Sequence, residues 1–221
     1  MRVALAILIK DLISEWRSRD RVVAMLLFSI LMAVVFHFAL PDQRPEAMRD
    51  LFPGLLWTAY LFASLLGLNR SFALELENDA LSGLALAPGN RGWIFLGKAS
   101  ANFVLISTVQ LLTASVFALL YDVDLIPVVP ALAAVVMLGT AGISCVGTLL
   151  AAMAVRTRFR EILLPLLLLP ALFPILSGAV SGSQAAFAGE TLPFEVIQLL
   201  IVADGVYLVI GFLGFDYVLD E

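Results

Sequence analysis

The chain has 221 residues, of which 62% are hydrophobic and only 14% charged, with a formal net charge of -5. A water-soluble domain of this size carries far more charge, and a net acidic balance disfavours a nucleic-acid partner, which needs clustered Lys and Arg. One Cys and one His leave no material for a structural disulfide or a metal cage built from those residues.

The first predicted element spans Arg2 to Arg21. Leu5, Leu8, Ile9, Leu12, Ile13 and Trp16 recur at helical spacing on one side, while Lys10, Asp11, Ser14 and Ser18 are polar and Arg17, Arg19 and Arg21 make the end basic. This is the pattern of an amphipathic helix at a membrane surface; a helical extension of the first span is the competing reading. The apolar run starts only at Val22 and no small-residue cleavage site follows it, so the expectation is a retained anchor and not a cleaved signal peptide.

Six apolar stretches follow. They run from about Val22 to Leu40, Leu51 to Leu68, Trp93 to Tyr121 (with Lys98 near its start), Pro127 to Val155, Ile162 to Val180 and Phe194 to Tyr217. Windows of 18 or more apolar residues predict membrane-spanning helices, and their unbroken character excludes a barrel, whose spans alternate. The fifth stretch holds Pro165, Pro170 and Pro174 and is expected to be kinked or broken. With "SGSQAAFAGETLP" after it, broken helices near the outer surface are expected, with Phe187, Glu190 and Phe194 as candidates for a partner contact. An ordinary outer loop is the competing reading there.

Lys and Arg set topology, and acids contribute little. With the N-terminus inside the cell, eleven of the thirteen Lys and Arg residues fall on the cytoplasmic side; only Arg44 and Arg49 fall outside. Both termini are therefore expected in the cytoplasm, as is the polar stretch from Asn69 to Gly92. In it Phe72, Leu76 and Leu84 share an apolar side, Glu75, Glu77, Asn78 and Asp79 supply a polar one, Ser71 is a candidate N-cap, and "APGN" stops the helix. The residues leave two readings, a wet surface helix or a docking helix for a soluble partner. The chain has no Walker A sequence, so any ATP-driven work draws on another subunit.

Three further features stand out. His37 lies near the outer end of the first span; an imidazole can ligate haem iron, but a lone interfacial His is more commonly a packing residue. Asp204 lies well inside the sixth span, where a charge is costly and faces the bundle interior. It is expected either protonated or bonded to a neighbouring Ser, Thr or Gln, as a structural acid or in gating. "GTAGISCVG", Gly139 to Gly147, offers small residues for close helix packing, with Cys145 as a small filler. Trp16, Trp57 and Trp93 are read as interfacial.

The segment "RSFALELENDALSGLALAPGNRGWIFLGK", Arg70 to Lys98, together with "KDLISEWRSR", Lys10 to Arg19, and the whole-chain pattern of six spans, resembles the CcmB family of haem exporter B proteins. The resemblance implies an all-α integral membrane protein, similar to ABC-2-type permeases, forming one transmembrane domain over residues 1–221. It implies an interface helix at 1–21 that brings Trp16 and Arg17 to a partner. It also implies a cytoplasmic coupling segment at 70–92, with Glu75, Glu77, Asp79 and Leu84 meeting an ATPase. The partners it implies are a CcmA-like ATPase that holds the ATP, a CcmC-like haem-handling protein, a CcmD-like small protein and a CcmE-like haem chaperone. Two permease copies or a larger complex in the bacterial inner membrane are implied as well. The chain itself is expected to bind no cofactor and catalyse no reaction, haem being handled by the complex. Two alternatives stand beside this: an ABC-2-type exporter subunit for a lipid or drug, and a membrane enzyme or passive assembly scaffold.

Overall fold

A computed structural model describes residues 2–40, 45–72, 90–155, 157 and 159–220, and every regular element among them is helical. They are α1 (Arg2–Ser18), α2 (Asp20–Ala39), α3 (Pro45–Asn69), α4 (Gly92–Tyr121), a 3-10 turn (Ile126–Val128), α5 (Val129–Ala154), α6 (Arg160–Phe187) and α7 (Phe194–Asp220). Helices α2 to α7 each contain a stretch long and apolar enough to cross a membrane. The protein is a multi-pass helical membrane protein, as its hydropathy predicts.

The first helix is separate from the first span. Arg19 takes a left-handed conformation, φ 59°, and α2 restarts at Asp20. A left-handed residue breaks the direction of a helix, so α1 leaves the axis of α2 and packs instead along α4, with a smaller contact to α2.

α5 is the centre of the bundle and touches α3, α4, α6 and α7. Its small residues do what their spacing predicts. A Cβ on Gly139 would lie 2.5 Å from the Trp57 indole, and Gly142 and Gly147 accept Ile175 and Leu68 in the same way. In a membrane, close packing of this kind replaces the hydrophobic drive that joins helices in water.

Two expectations are corrected. α6 is one helix of 28 residues that passes through all three prolines and on through Gly182, Ser183 and Phe187. The reason is its inward stripe: Leu164, Leu168, Leu172, Ile175, Ala179 and Ser183 follow one another at helical spacing and are all buried. That stripe straddles Pro165, Pro170 and Pro174, so packing against α5 and α3 holds the register that each proline weakens by one backbone bond. Phe187 accordingly faces inward, 5.1 Å from the Phe52 ring, while Phe194 is exposed. The second correction concerns Trp57. It is only 1% exposed and belongs to the core, where its indole N–H donates to the Ser183 hydroxyl at 2.9 Å.

The two ends of the bundle differ. At one end Phe52 meets Phe117, Tyr121 and Phe187 edge to face, and the Tyr121 hydroxyl donates to the Ala33 carbonyl at 3.1 Å. His37 lies in the same cluster, its ring 5.7 Å from Tyr121, as a packing residue would. The opposite end carries most of the Lys and Arg residues.

Packing of α7 on α4 gives a direct test. A Cβ on Gly211 would overlap the ring of the fully buried Phe95, whereas one on Gly205 meets open space. Gly211→Ala is expected to cost ~1–3 kcal/mol through overpacking. Gly205→Ala is expected to be neutral, or stabilising by up to about 1 kcal/mol through helix propensity. Thermal unfolding of both variants in detergent checks this.

Candidate functional site

The charged end of the bundle is organised around Lys98. It is the seventh residue of α4, roughly 9 Å along the helix axis from the first, and it is only 1% exposed. A buried ammonium is tolerated only when paired and hydrogen-bonded. Its Nζ lies 3.1 Å from Oδ2 of the half-buried Asp11 on α1 and donates to the Ser71 carbonyl, just past the end of α3, at 3.0 Å. The same ammonium sits over the Phe72 ring, 4.7 Å from its centroid, a cation–π contact.

Asp11 reaches Lys98 because α1 lies very close to α4. Ala4, Ile7 and Asp11 share one helical side, and Gly97 faces them; a Cβ there would stand 2.7 Å from the Ala4 carbonyl oxygen. Gly97 thus lets backbone approach backbone, which no other residue would permit.

One turn after Lys98, Asn102 extends the network. Its Oδ1 accepts from the Ser71 hydroxyl at 3.0 Å and from Arg21 Nη1 at 3.1 Å, and its Nδ2 donates to Thr148 of α5 at 2.8 Å. Arg21 Nε in turn donates to Glu15 Oε2 at 3.1 Å. The other Glu15 oxygen accepts the Val22 backbone N–H at 3.1 Å. That places a carboxylate on an open amide in the first turn of α2, where the helix dipole favours an anion. A continuous run of polar contacts therefore leads from Asp11 through Lys98, Ser71, Asn102 and Arg21 to Glu15, tying α1, α2, α4 and α5 to the exit of α3.

The resumption of the described chain, at Asn90, is anchored as well. Arg91 donates to the Asp216 carbonyl in the last turns of α7 at 3.0 Å, a cation at a helix C-terminus. The Asn90 side-chain oxygen accepts the Gly92 N–H at 2.7 Å.

Glu75, Glu77, Asp79 and Leu84 lie outside the described residues. Trp16 and Arg17 are exposed at the end of α1; Trp16 is 76% exposed, carries the Arg19 guanidinium 5.4 Å from its ring, and is not drawn into the buried network. Asp204 stands apart, twelve residues before Asp216 on α7. Its Oδ1 is buried against Gly142 without a hydrogen-bond partner, so the expected bond from Ser, Thr or Gln is not made at that oxygen. Among the described residues no group of three or more His, Cys, Asp or Glu could hold a metal ion. Sequence reasoning missed Glu15, Asn102 and Thr148 and the pairing of Asp11 with Lys98. The available signal was Lys98 and Asn102 at i and i+4 inside an apolar span, since polar residues there face the bundle interior.

Comparison with known proteins gives a consistent result. The family model described as "CcmB protein" matches residues 2–214. The chain is 33% identical over 198 residues to Heme exporter protein B of Paracoccus denitrificans, which covers 90% of this chain and 88% of that one. It is 33% identical over 172 residues to the protein of the same name from Rhodobacter capsulatus, covering 77% of each. It is 28% identical over 193 residues to that of Haemophilus influenzae, covering 87% of this chain and 85% of the other.

Glu15 closes the corner between α1 and α2 twice, through Val22 and through Arg21. Glu15→Ala is expected to speed hydrogen exchange of the amides at positions 20–24 by about tenfold, equivalent to a lost hydrogen bond to a charged group. Amides at the far end of α2, around His37, should keep their rates. Mass-resolved exchange on the detergent-solubilised protein reads both regions at once.

Proposed function

We propose that this chain, which belongs to the CcmB family, is the non-catalytic membrane subunit of an ATP-driven haem-export complex that serves cytochrome c maturation. In this reading it resides in the bacterial inner membrane with both termini in the cytoplasm. The charge distribution supports that orientation, with eleven of thirteen cationic residues on one side. ATP is hydrolysed by a CcmA-like partner, since this sequence carries no phosphate-binding loop of its own. The output is release of a haem-loaded CcmE-like chaperone from a CcmC-like protein, with a CcmD-like small protein alongside. Relatives named Heme exporter protein B support the haem-related task.

One observation carries the transducing role. The described chain is firmly held on both sides of residues 73–89. Ser71 is bonded to Lys98 and Asn102 on α4, and Arg91 is bonded to the end of α7. Glu75, Glu77, Asp79 and Leu84, together with Trp16 and Arg17 on α1, are the residues proposed to meet the ATPase. Force applied there enters α3 and α4 directly, because neither junction has slack. A subunit of this kind does no bond chemistry; it converts closure of its partner into a change at the outer face.

Reversal of Glu75, Glu77 and Asp79 to Lys, in the chain co-expressed with its candidate ATPase, tests the reading. Co-purification of the ATPase and ATP-dependent release of the haem-loaded chaperone are both expected to be lost. Intact docking and release in the reversed variant would overturn the assignment.

A further inference from the structure

Among the described residues, Lys98 is bonded to two parts of the chain that are far apart in sequence. Asp11 belongs to α1, which lies outside the six spans. Ser71 belongs to the exit of α3, where the second span ends. No helix joins these two places; they communicate through the side chain of a third element, α4. Lys98 and Asp11 are shielded from water, with side-chain exposures of 2% and 12%, so their attraction is weakly screened even though Asp11 also pairs with Lys10 at 3.0 Å. Gly97, the residue before Lys98, seats the α1 backbone against α4 and fixes the height at which Asp11 meets the ammonium. Asn102 adds a second tie from the same Ser71 to Arg21, the second residue of α2, and Arg21 returns to α1 through Glu15. Two independent bonded routes therefore connect the exit of α3 with α1, one entering at Asp11 and the other at Glu15.

We propose that Lys98 is the positioning residue that makes α1 move with the exit of α3: one ammonium shared between the Asp11 carboxylate and the Ser71 carbonyl transmits a displacement of the second span to the surface helix. The proposal deepens the ATP-driven reading and rests on it. It assigns to α1 the role of a moving output element, carried with the bundle, and not that of a fixed anchor. The Asn102–Arg21–Glu15 route sets the corner between α1 and α2, and so the direction in which α1 is free to turn.

The test uses the full chain with its ATPase partner. A Cys145→Ser background carries spin labels at Ile9 on the exposed side of α1 and at Phe173 on the exposed side of α6, a helix outside the Lys98 network. Spin–spin distances are recorded with and without a non-hydrolysable ATP analogue. Two variants are compared with the native pair. Asp11→Asn with Lys98→Met neutralises both partners, and Asp11→Lys with Lys98→Asp retains an ion pair between α1 and α4 but removes the donor to Ser71. The nucleotide is expected to shift the distance distribution in the native pair and to shift it clearly less in both variants, where only the Asn102–Arg21–Glu15 route remains, while the ATPase co-purifies in undiminished amount. If the neutral pair does not fold, the exchanged pair gives the answer alone. An undiminished shift in a folded variant would overturn the proposal and leave the ATP-driven reading standing. A native chain that does not retain the ATPase, or retains it with no shift on nucleotide addition, would overturn the proposal. Of these two results, failure to retain the ATPase would also remove the docking on which the ATP-driven reading depends.

Discussion

A lysine ammonium closed off from water inside an apolar bundle is the constraint on which the charged end of this protein depends. The desolvation penalty of such a group is several kcal/mol even after relaxation, so the surroundings must supply a counter-charge and acceptors at fixed places. Here they come from Asp11, from the Ser71 carbonyl and from the face of Phe72. Each belongs to a segment that would otherwise have little reason to stay where it is. α1 lies outside the spans, and residues 70–72 have already left the α3 helix. The need to solvate one cation thus fixes the relative position of three pieces of backbone.

The rest of the bundle is held by a different kind of force. Lipid tails are as apolar as leucine side chains, so burial alone gives the helices little reason to associate. Shape does this work instead: Gly139 under Trp57, Gly147 under Leu68 and Gly211 under Phe95 bring axes close enough for dispersion contacts to accumulate. Sparse hydrogen bonds then fix register. The Trp57 indole on Ser183 ties α3 to α6, the Tyr60 hydroxyl on the Gln110 carbonyl ties α3 to α4, and the Thr140 hydroxyl on the Gln110 side chain ties α4 to α5. None of these pairs is close in sequence, and all lie on buried stripes.

Much of this was legible from the residues. Six spans, their approximate limits, the small-residue face of α5 and the separate N-terminal helix follow from hydropathy and helical spacing, which are local properties. What was not legible depends on long-range context. Three prolines and a Ser-Gly-rich stretch read as a kinked or broken helix, and the break does not occur, because local rules count the lost backbone bonds but not the inward stripe from Leu164 to Ser183 that packing holds in line. Trp57 read as interfacial, because an indole N–H needs a partner and Ser183 lies 126 residues away. Lys98 counted toward topology, yet its partner Asp11 looked like one more polar residue on a surface helix. Charge pairing across 87 positions leaves no periodic trace in a single sequence, whereas a glycine next to a buried lysine does hint that another backbone comes close.

The order of polar and apolar groups along α4 bears on how a push at one end could reach the other. Its inward side carries Lys98, Asn102, Gln110, Phe117 and Tyr121. The first two hold α1, the exit of α3 and α5; Gln110 holds α3 and α5 again near the middle of the helix; Phe117 and Tyr121 close the aromatic cluster with Phe52. A helix bonded to its neighbours only at one end would pivot and dissipate a displacement in side-chain rearrangement. One bonded at its charged end and its middle, and wedged by rings at its far end, is held to α3 and α5 along its length. On the proposed reading this is the physical requirement for a subunit that performs no chemistry: rigidity along the path, with the charged end as the place where force enters and the aromatic end as the place where it is delivered.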